Sequence, residues 1–254
     1  MDQRHADEYL ERIGLSGRPP SGLGGLRTLM TAHLRTVPFE NLSIHLGEEY
    51  RLDEEGLHDK VVGRRRGGFC YELGGAFAGL LRALGHDVTL LAARVHGEDG
   101  LGPPFDHLAL RVDLADGPWL VDVGFGRFVA GPVPFAADEP WEDPEGVVTW
   151  AGAPDGDLDV LLDGRPQYRL ETRPRELVDA EPTCWWQTTS PRSHFTAGPV
   201  CSLPTADGGR VSLAGRTLVT TAADGTREER RLGGDDEVLA TYRDLFGVVL
   251  DRVP

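Results

Sequence analysis

Apolar residues recur at helical spacing through the first third of the chain and alternate with polar ones through much of the remainder. Asp7 to Leu15 reads as a short amphipathic helix closed by Gly14. Leu26, Leu29, Met30, His33 and Leu34 form a second stripe that ends at Pro38, with His33 an ordinary packed or surface histidine on it. Phe39 to Leu42 reads as a turn, and Leu52 to Val62 as a further short helix. The strongest stripe is Leu73, Phe77, Leu80, Leu81 and Leu84. It starts just after Gly67-Gly68-Phe69-Cys70 and stops at Gly85, placed as a helix C-cap.

Past Gly85 the period shortens. Val88 to Val95 reads as a strand, and His96 to Asp106, punctuated by Gly97, Gly100, Gly102, Pro103 and Pro104, as a loop. His107 to Leu114 alternates with period two, Asp116-Gly117-Pro118 turns, Trp119 to Val123 returns, and Gly124-Phe125-Gly126 breaks the strand. Residues 127–166, rich in Pro, Gly and Asp, predict short strands at most. Tyr168 to Thr172, Trp185 to Thr189, Arg210 to Thr221 and Glu228 to Leu232 are further strand candidates, and Asp235 to Phe246 a closing helix. The pattern is that of an α+β protein: a mainly helical unit to about residue 85, then a small antiparallel barrel or sandwich.

At 254 residues and 40% hydrophobic content, a sizeable core is available. The formal net charge of -15 argues against nucleic-acid binding, which needs a basic surface. An anionic, nucleotide-bearing cofactor would need a local basic patch, which sequence does not locate. Three unclustered cysteines form neither a disulfide framework nor a zinc motif, so no metal is expected. No run is long enough for a membrane span and the N-terminus lacks a signal-peptide core, so a cytoplasmic location is expected.

Cys184 and Cys201 read as small core residues. Cys70 differs because it stands in the first turn of a helix, where free N–H groups and the helix dipole favour a thiolate. Arg64, Arg65 and Arg66 just upstream would push the same way. His107 and Asp122 fall on the non-apolar faces of neighbouring strands. A loop of Asp113–Asp116 pairs them directly, whereas a tighter Asp116-Gly117 turn separates them by four positions; alternation leaves both registers open. In the roles such a set can take, His107 receives the Cys70 proton and Asp122 holds the imidazole. The order Cys, His, Asp does not by itself separate hydrolysis, transglutamination and acyl transfer.

Arg66-Gly67-Gly68-Phe69-Cys70-Tyr71-Glu72-Leu73 resembles the signature of the arylamine N-acetyltransferase family. Counterparts follow in order at Val37-Pro38-Phe39-Glu40-Asn41, His107-Leu108, Val121 to Gly126, Thr189 to Phe195 and Phe246-Gly247, covering essentially the whole chain. The resemblance implies a cysteine-protease-like helical N-terminal unit (1–85), a central antiparallel β-barrel (86–200) and a C-terminal α/β lid (201–254). It implies Cys70, His107 and Asp122 as the catalytic triad. Phe39, Val95 and Phe125 would line the acyl and acceptor pocket, with Gly124 and Gly126 letting the backbone approach the donor. No cofactor would be permanently bound; acetyl-CoA or another acyl thioester would be a co-substrate, and an arylamine or hydrazine the acceptor. Departures are Gly74, where the family usually has asparagine, and Cys184-Trp185-Trp186 in place of an Asn-Trp-Tyr segment. A related branch, the amide synthases of ansamycin-type pathways, takes its acyl chain from a carrier protein and closes a macrolactam. A transglutaminase-like thiol hydrolase is the other alternative.

Overall fold

The computed structural model describes residues 1–254. Helix α1 (Gln3–Arg12) begins earlier than the apolar stripe because the Asp2 carboxylate accepts from His5 N at 2.8 Å and caps it. Helix α2 (Leu23–Thr36) buries Leu26, Leu29, Met30 and His33. His33 is a core residue: Tyr9 Oη lies 3.0 Å from its Nδ1, and burial pushes its pKa down to about 3. The expected turn at Phe39 is instead strand β1 (Phe39–Glu40), followed by α3 (Leu42–Leu46). The stripe at 52–62 divides into α4 (Glu54–His58) and a wider turn, Asp59–Gly63.

Helix α5 (Cys70–Ala83) is buried along most of its length, with Arg82 in its last turn exposed, and is the central helix of the fold. Gly85, at φ +91°, stops it. Strands follow: β2 (Asp87–Gly97), β3 (Gly100–Leu101), β4 (His107–Leu114), β5 (Gly117–Val121), β6 (Val133–Pro134), β7 (Trp141–Asp143), β8 (Gly146–Gly152), β9 (Leu158–Leu162) and β10 (Arg165–Arg175). They run antiparallel in the order β6-β5-β4-β2-β10-β9-β8-β7, with β3 paired to β2. The terminal strands β6 and β7 meet, so the sheet curls almost shut into a barrel. The 96–106 segment expected to be loop thus supplies β3, and the Pro/Gly/Asp-rich segment, expected to hold short strands at most, supplies β6 to β9.

Trp185 to Thr189 is not a strand but the end of helix α6 (Glu181–Thr189). Its aromatic and β-branched residues favour strands, yet Pro182 sits in the first turn, where a missing N–H costs nothing. The Thr188 and Thr189 hydroxyls donate to the carbonyls of Cys184 and Trp185, at 2.9 and 2.7 Å. The chain ends with β11 (Val200–Pro204), β12 (Arg210–Ala214), β13 (Thr217–Thr221), β14 (Arg227–Arg231) and α7 (Asp235–Phe246). These strands form a second sheet with β1, in the order β1-β11-β12-β13-β14. One hydrophobic core runs continuously from α1, α2 and α5 into the barrel, and a smaller one joins α3 and α7 to the second sheet. The molecule is α+β, with helices, barrel and α/β lid in that order. No helix is long and apolar enough to cross a membrane.

Candidate active site

The segment before Cys70 is pinned by contacts that require its glycines. Glu40 N donates to Gly68 O at 2.8 Å, and Gly68 N to Pro38 O at 3.3 Å. A Cβ at Gly67 would lie 1.9 Å from Pro38 O, so no side chain fits there. Arg66 is buried and donates to Glu40 at 3.0 Å and to Glu48 at 3.2 Å; Glu40 in turn accepts Leu42 N at 2.6 Å. Arg64 pairs with Asp59 and Glu48. Arg66 therefore holds the scaffold together, and the charges of Arg64 and Arg66 are engaged by carboxylates rather than by the sulfur.

At the head of α5, Glu72 accepts Phe69 N at 3.2 Å and is bound by Lys60, the only lysine, at 2.5 Å. Both charges are buried. Lys60→Met leaves the Glu72 carboxylate without a counter-charge, at a cost of about 3–5 kcal/mol near neutral pH. Burial already raises the Glu72 pKa in the folded protein. A raised folded pKa means the stability is present at low pH and lost as pH rises through that pKa. The loss on Lys60→Met is accordingly larger at pH 8 than at pH 5, measurable as thermal midpoints across that range.

Cys70 is the first residue of α5 and is 4% exposed. Its Sγ lies 4.0 Å from Asp106 O. Burial pushes the Cys70 thiol well above its ordinary pKa, and the Leu108 N–H opposes that by favouring the thiolate. A thiolate here thus needs a further partner, and the residue between Asp106 and Leu108 is His107.

The β4–β5 register is neither of the two expected. Leu114 pairs with Gly117 and Leu110 with Val121, so Asp122, just beyond β5, falls opposite Ala109 rather than His107. Once the strand ends, the chain turns enough to bring Asp122 Oδ2 to 2.8 Å from His107 Nε2. Asp122 Oδ1 accepts Gly124 N at 3.0 Å and Phe125 N at 3.1 Å. The carboxylate is acceptor-only, so Nε2 is the protonated nitrogen and Nδ1 is left with a lone pair. The ring is wedged between Phe125 and Tyr168, each with its centroid 5.1 Å away.

Cys70, His107, Phe39, Val95, Phe125 and Gly124 line one cavity of about 570 Å³. Asp122 sits behind His107, outside the lining. Gly126 lines a neighbouring cavity of about 420 Å³. What Gly124 makes room for is the nucleophile's own backbone: a Cβ there would lie 2.7 Å from Cys70 Cα. Gly74 fits α5 against β4, since a Cβ would reach within 3.1 Å of Leu108.

Sequence reasoning missed several lining groups. Asn41 donates to the carbonyls of Phe195 (2.8 Å) and Gly198 (3.0 Å) and accepts Val200 N at 2.6 Å, joining helical unit to lid at the cavity edge. Asp106, held by Gln187 at 2.5 Å, and His194 complete the rim. Asp106 has no signal beyond lying in a loop, and His194 none beyond its place in the Thr189–Phe195 segment. Cys184 and Cys201 are buried away from the cavity, and burial pushes Cys184 up to about 12.

A family model described as N-acetyltransferase matches residues 22–253. The arylamine N-acetyltransferase of Mycolicibacterium smegmatis is 38% identical over 95% of this chain and 91% of its own length. That of Escherichia coli K12 is 31% identical over 96% and 89%. Among solved structures, the arylamine N-acetyltransferase of Salmonella typhimurium superposes with a TM-score of 0.89 at 27% identity, covering 98% of this chain and 92% of that one. The Mycobacterium marinum enzyme in complex with CoA does so at 0.84 and 33% identity, covering 96% and 92%. With the family model matching residues 22–253 and likeness to these enzymes along nearly its entire length, this chain belongs to the arylamine N-acetyltransferase family.

Proposed function

We propose that the protein moves an acetyl group from acetyl-CoA to an arylamine or hydrazine nitrogen through an acetyl-cysteine on Cys70. His107 Nδ1 takes the thiol proton, and the imidazolium so formed is stabilised by Asp122. The thiolate attacks the thioester carbonyl, the C–S bond to coenzyme A breaks, and the proton returns to the leaving thiolate. The N–H groups of Cys70 and Tyr71, in the first turn of α5, have no intrahelical acceptor and are the donors available to the oxyanion. An arylamine is weakly basic and neutral at pH 7; it attacks the acetyl-cysteine, and His107 accepts its proton as the amide forms.

The observation that carries this reading is the 2.8 Å His107–Asp122 bond, which leaves a basic nitrogen in the wall of a cavity shared with Cys70. Phe39, Val95, Phe125 and Phe195 give that cavity an aromatic, apolar lining suited to an aryl acceptor. The donor's anionic end has a candidate place next door. Arg27, Arg35 and Arg210 line the neighbouring cavity without a carboxylate in ion-pair contact, while Asp143 and Glu145 there are engaged with backbone N–H groups and Arg127. Arg210→Gln accordingly raises the KM for acetyl-CoA several-fold with little change in kcat, and steady-state kinetics at varied donor concentration check it. An unchanged KM removes Arg210 from the donor site.

Release of coenzyme A thiol on mixing with acetyl-CoA and an arylamine tests the reaction itself. Coenzyme A release without amide product would point to a hydrolase. A reactive Cys70 with no turnover of coenzyme A thioesters would point to a carrier-bound donor and a macrolactam-forming reaction.

A further inference from the structure

Away from the cavity, His5 and Glu8 of α1 and His58 at the end of α4 bring one donor atom each to within 4.8 Å of one another. His58 Nε2 is 3.3 Å from Glu8 Oε2. That separation is the edge of a tetrahedron whose centre lies about 2.0 Å from its corners, the length of a zinc–nitrogen or zinc–oxygen bond. The two imidazole rings approach to 4.2 Å between centroids. His58 Nε2 is buried and makes no hydrogen bond, because Glu8 is near but out of line, so a buried polar atom is left unsatisfied.

A cation already stands against two of these donors. Arg4 donates from Nη1 to Glu8 Oε1 at 2.7 Å and from Nη2 to His5 Nε2 at 2.6 Å. His5 Nε2 is therefore an acceptor, its lone pair engaged by Arg4. Arg4 is 67% exposed and free to swing aside. Asp2, 3.4 Å from His5 Nδ1, adds the carboxylate that commonly orients a ligand imidazole.

We propose that His5, Glu8 and His58 bind one divalent transition-metal ion, zinc by its donor set, which clamps α1 to α4. Two imidazoles and a carboxylate, with water as fourth ligand, suit Zn²⁺ and not Mg²⁺ or Ca²⁺, which take oxygen donors. The role is structural. From α4 the chain passes directly into the Asp59–Gly63 turn, whose Lys60 holds Glu72 at the head of α5. An ion at this site braces the scaffold behind Cys70 without touching reacting atoms.

Calorimetric titration of the whole chain with Zn²⁺ tests the site, using Co²⁺ as a spectroscopic probe. The wild type takes one ion at this site and its melting temperature rises with Zn²⁺ but not Mg²⁺. His58→Gln and Glu8→Gln each weaken that binding by about ten-fold or more. Arg4→Ala, a change at an exposed position, tightens it several-fold by removing the competing cation. Bound Co²⁺ shows visible ligand-field bands without the near-ultraviolet band of a thiolate ligand. Equal affinity in wild type and His58→Gln, weaker binding in Arg4→Ala, or a thiolate band from the tightest ion overturns the proposal.

Discussion

Cys70→Ala abolishes acetyl transfer to arylamines, lowering kcat by roughly 10⁴-fold or more, while the protein stays folded. The two halves of this expectation have separate grounds. The sulfur is the only cysteine sulfur in the cavity; Cys184 and Cys201 are buried elsewhere, so neither can take over. The substitution replaces a small buried side chain with one slightly smaller, in a core whose neighbours Phe69, Tyr71 and Leu108 are themselves fully packed. The cost in stability is about 1 kcal/mol, well inside the margin of a domain this size. Activity within ten-fold of wild type, with an unchanged melting transition, would remove the nucleophile assignment.

Asp122→Asn lowers kcat/KM by about 10³–10⁴-fold through the tautomer of a different residue. The carboxylate accepts three N–H groups: Gly124 N and Phe125 N on Oδ1, and His107 on Oδ2. An amide has one acceptor oxygen. With that oxygen toward the two backbone donors, the NH2 group faces His107 Nε2 and forces the proton to Nδ1, which then cannot receive one from Cys70. With the amide reversed, NH2 opposes two backbone N–H groups in a buried site, costing about 1–3 kcal/mol for each donor left unsatisfied. The first arrangement predicts a folded, inactive protein whose Cys70 alkylates slowly with iodoacetamide at neutral pH; rapid alkylation would contradict it.

Where one residue's chemistry decides local structure, the sequence was legible. Gly67-Gly68 ahead of an apolar stripe marked the start of α5 at Cys70, and Gly85 its end, because a positive φ and a close backbone approach admit little else. Strands β4 and β5 could be read from their alternation. What could not be read depended on partners distant in the chain. The β4–β5 register turned on a two-residue turn at Ala115-Asp116 that many polar residues could have made, and on the bend after Val121 that carries Asp122 back to His107. The arginine run looked like a field acting on the thiol; Arg66 proved instead to be bound by Glu40 and Glu48, acids contributed by other segments. Strands β8 and β9 hid in a stretch rich in glycine and proline because a barrel wall tolerates them where its turns are tight. In α6, composition favoured a strand, and the helix won through Pro182 in its first turn and the burial of Cys184 and Gln187 on one face.

The proposed mechanism requires Cys70 to carry the acyl group between donor and acceptor. Mass spectrometry of the intact protein, mixed with acetyl-CoA in the absence of any amine, measures this directly. The expected result is a gain of one acetyl group, located on the peptide containing Cys70 and discharged when an arylamine is added. Acetyl transfer proceeding at full rate with no such adduct, or with the acetyl group on another residue, would contradict it.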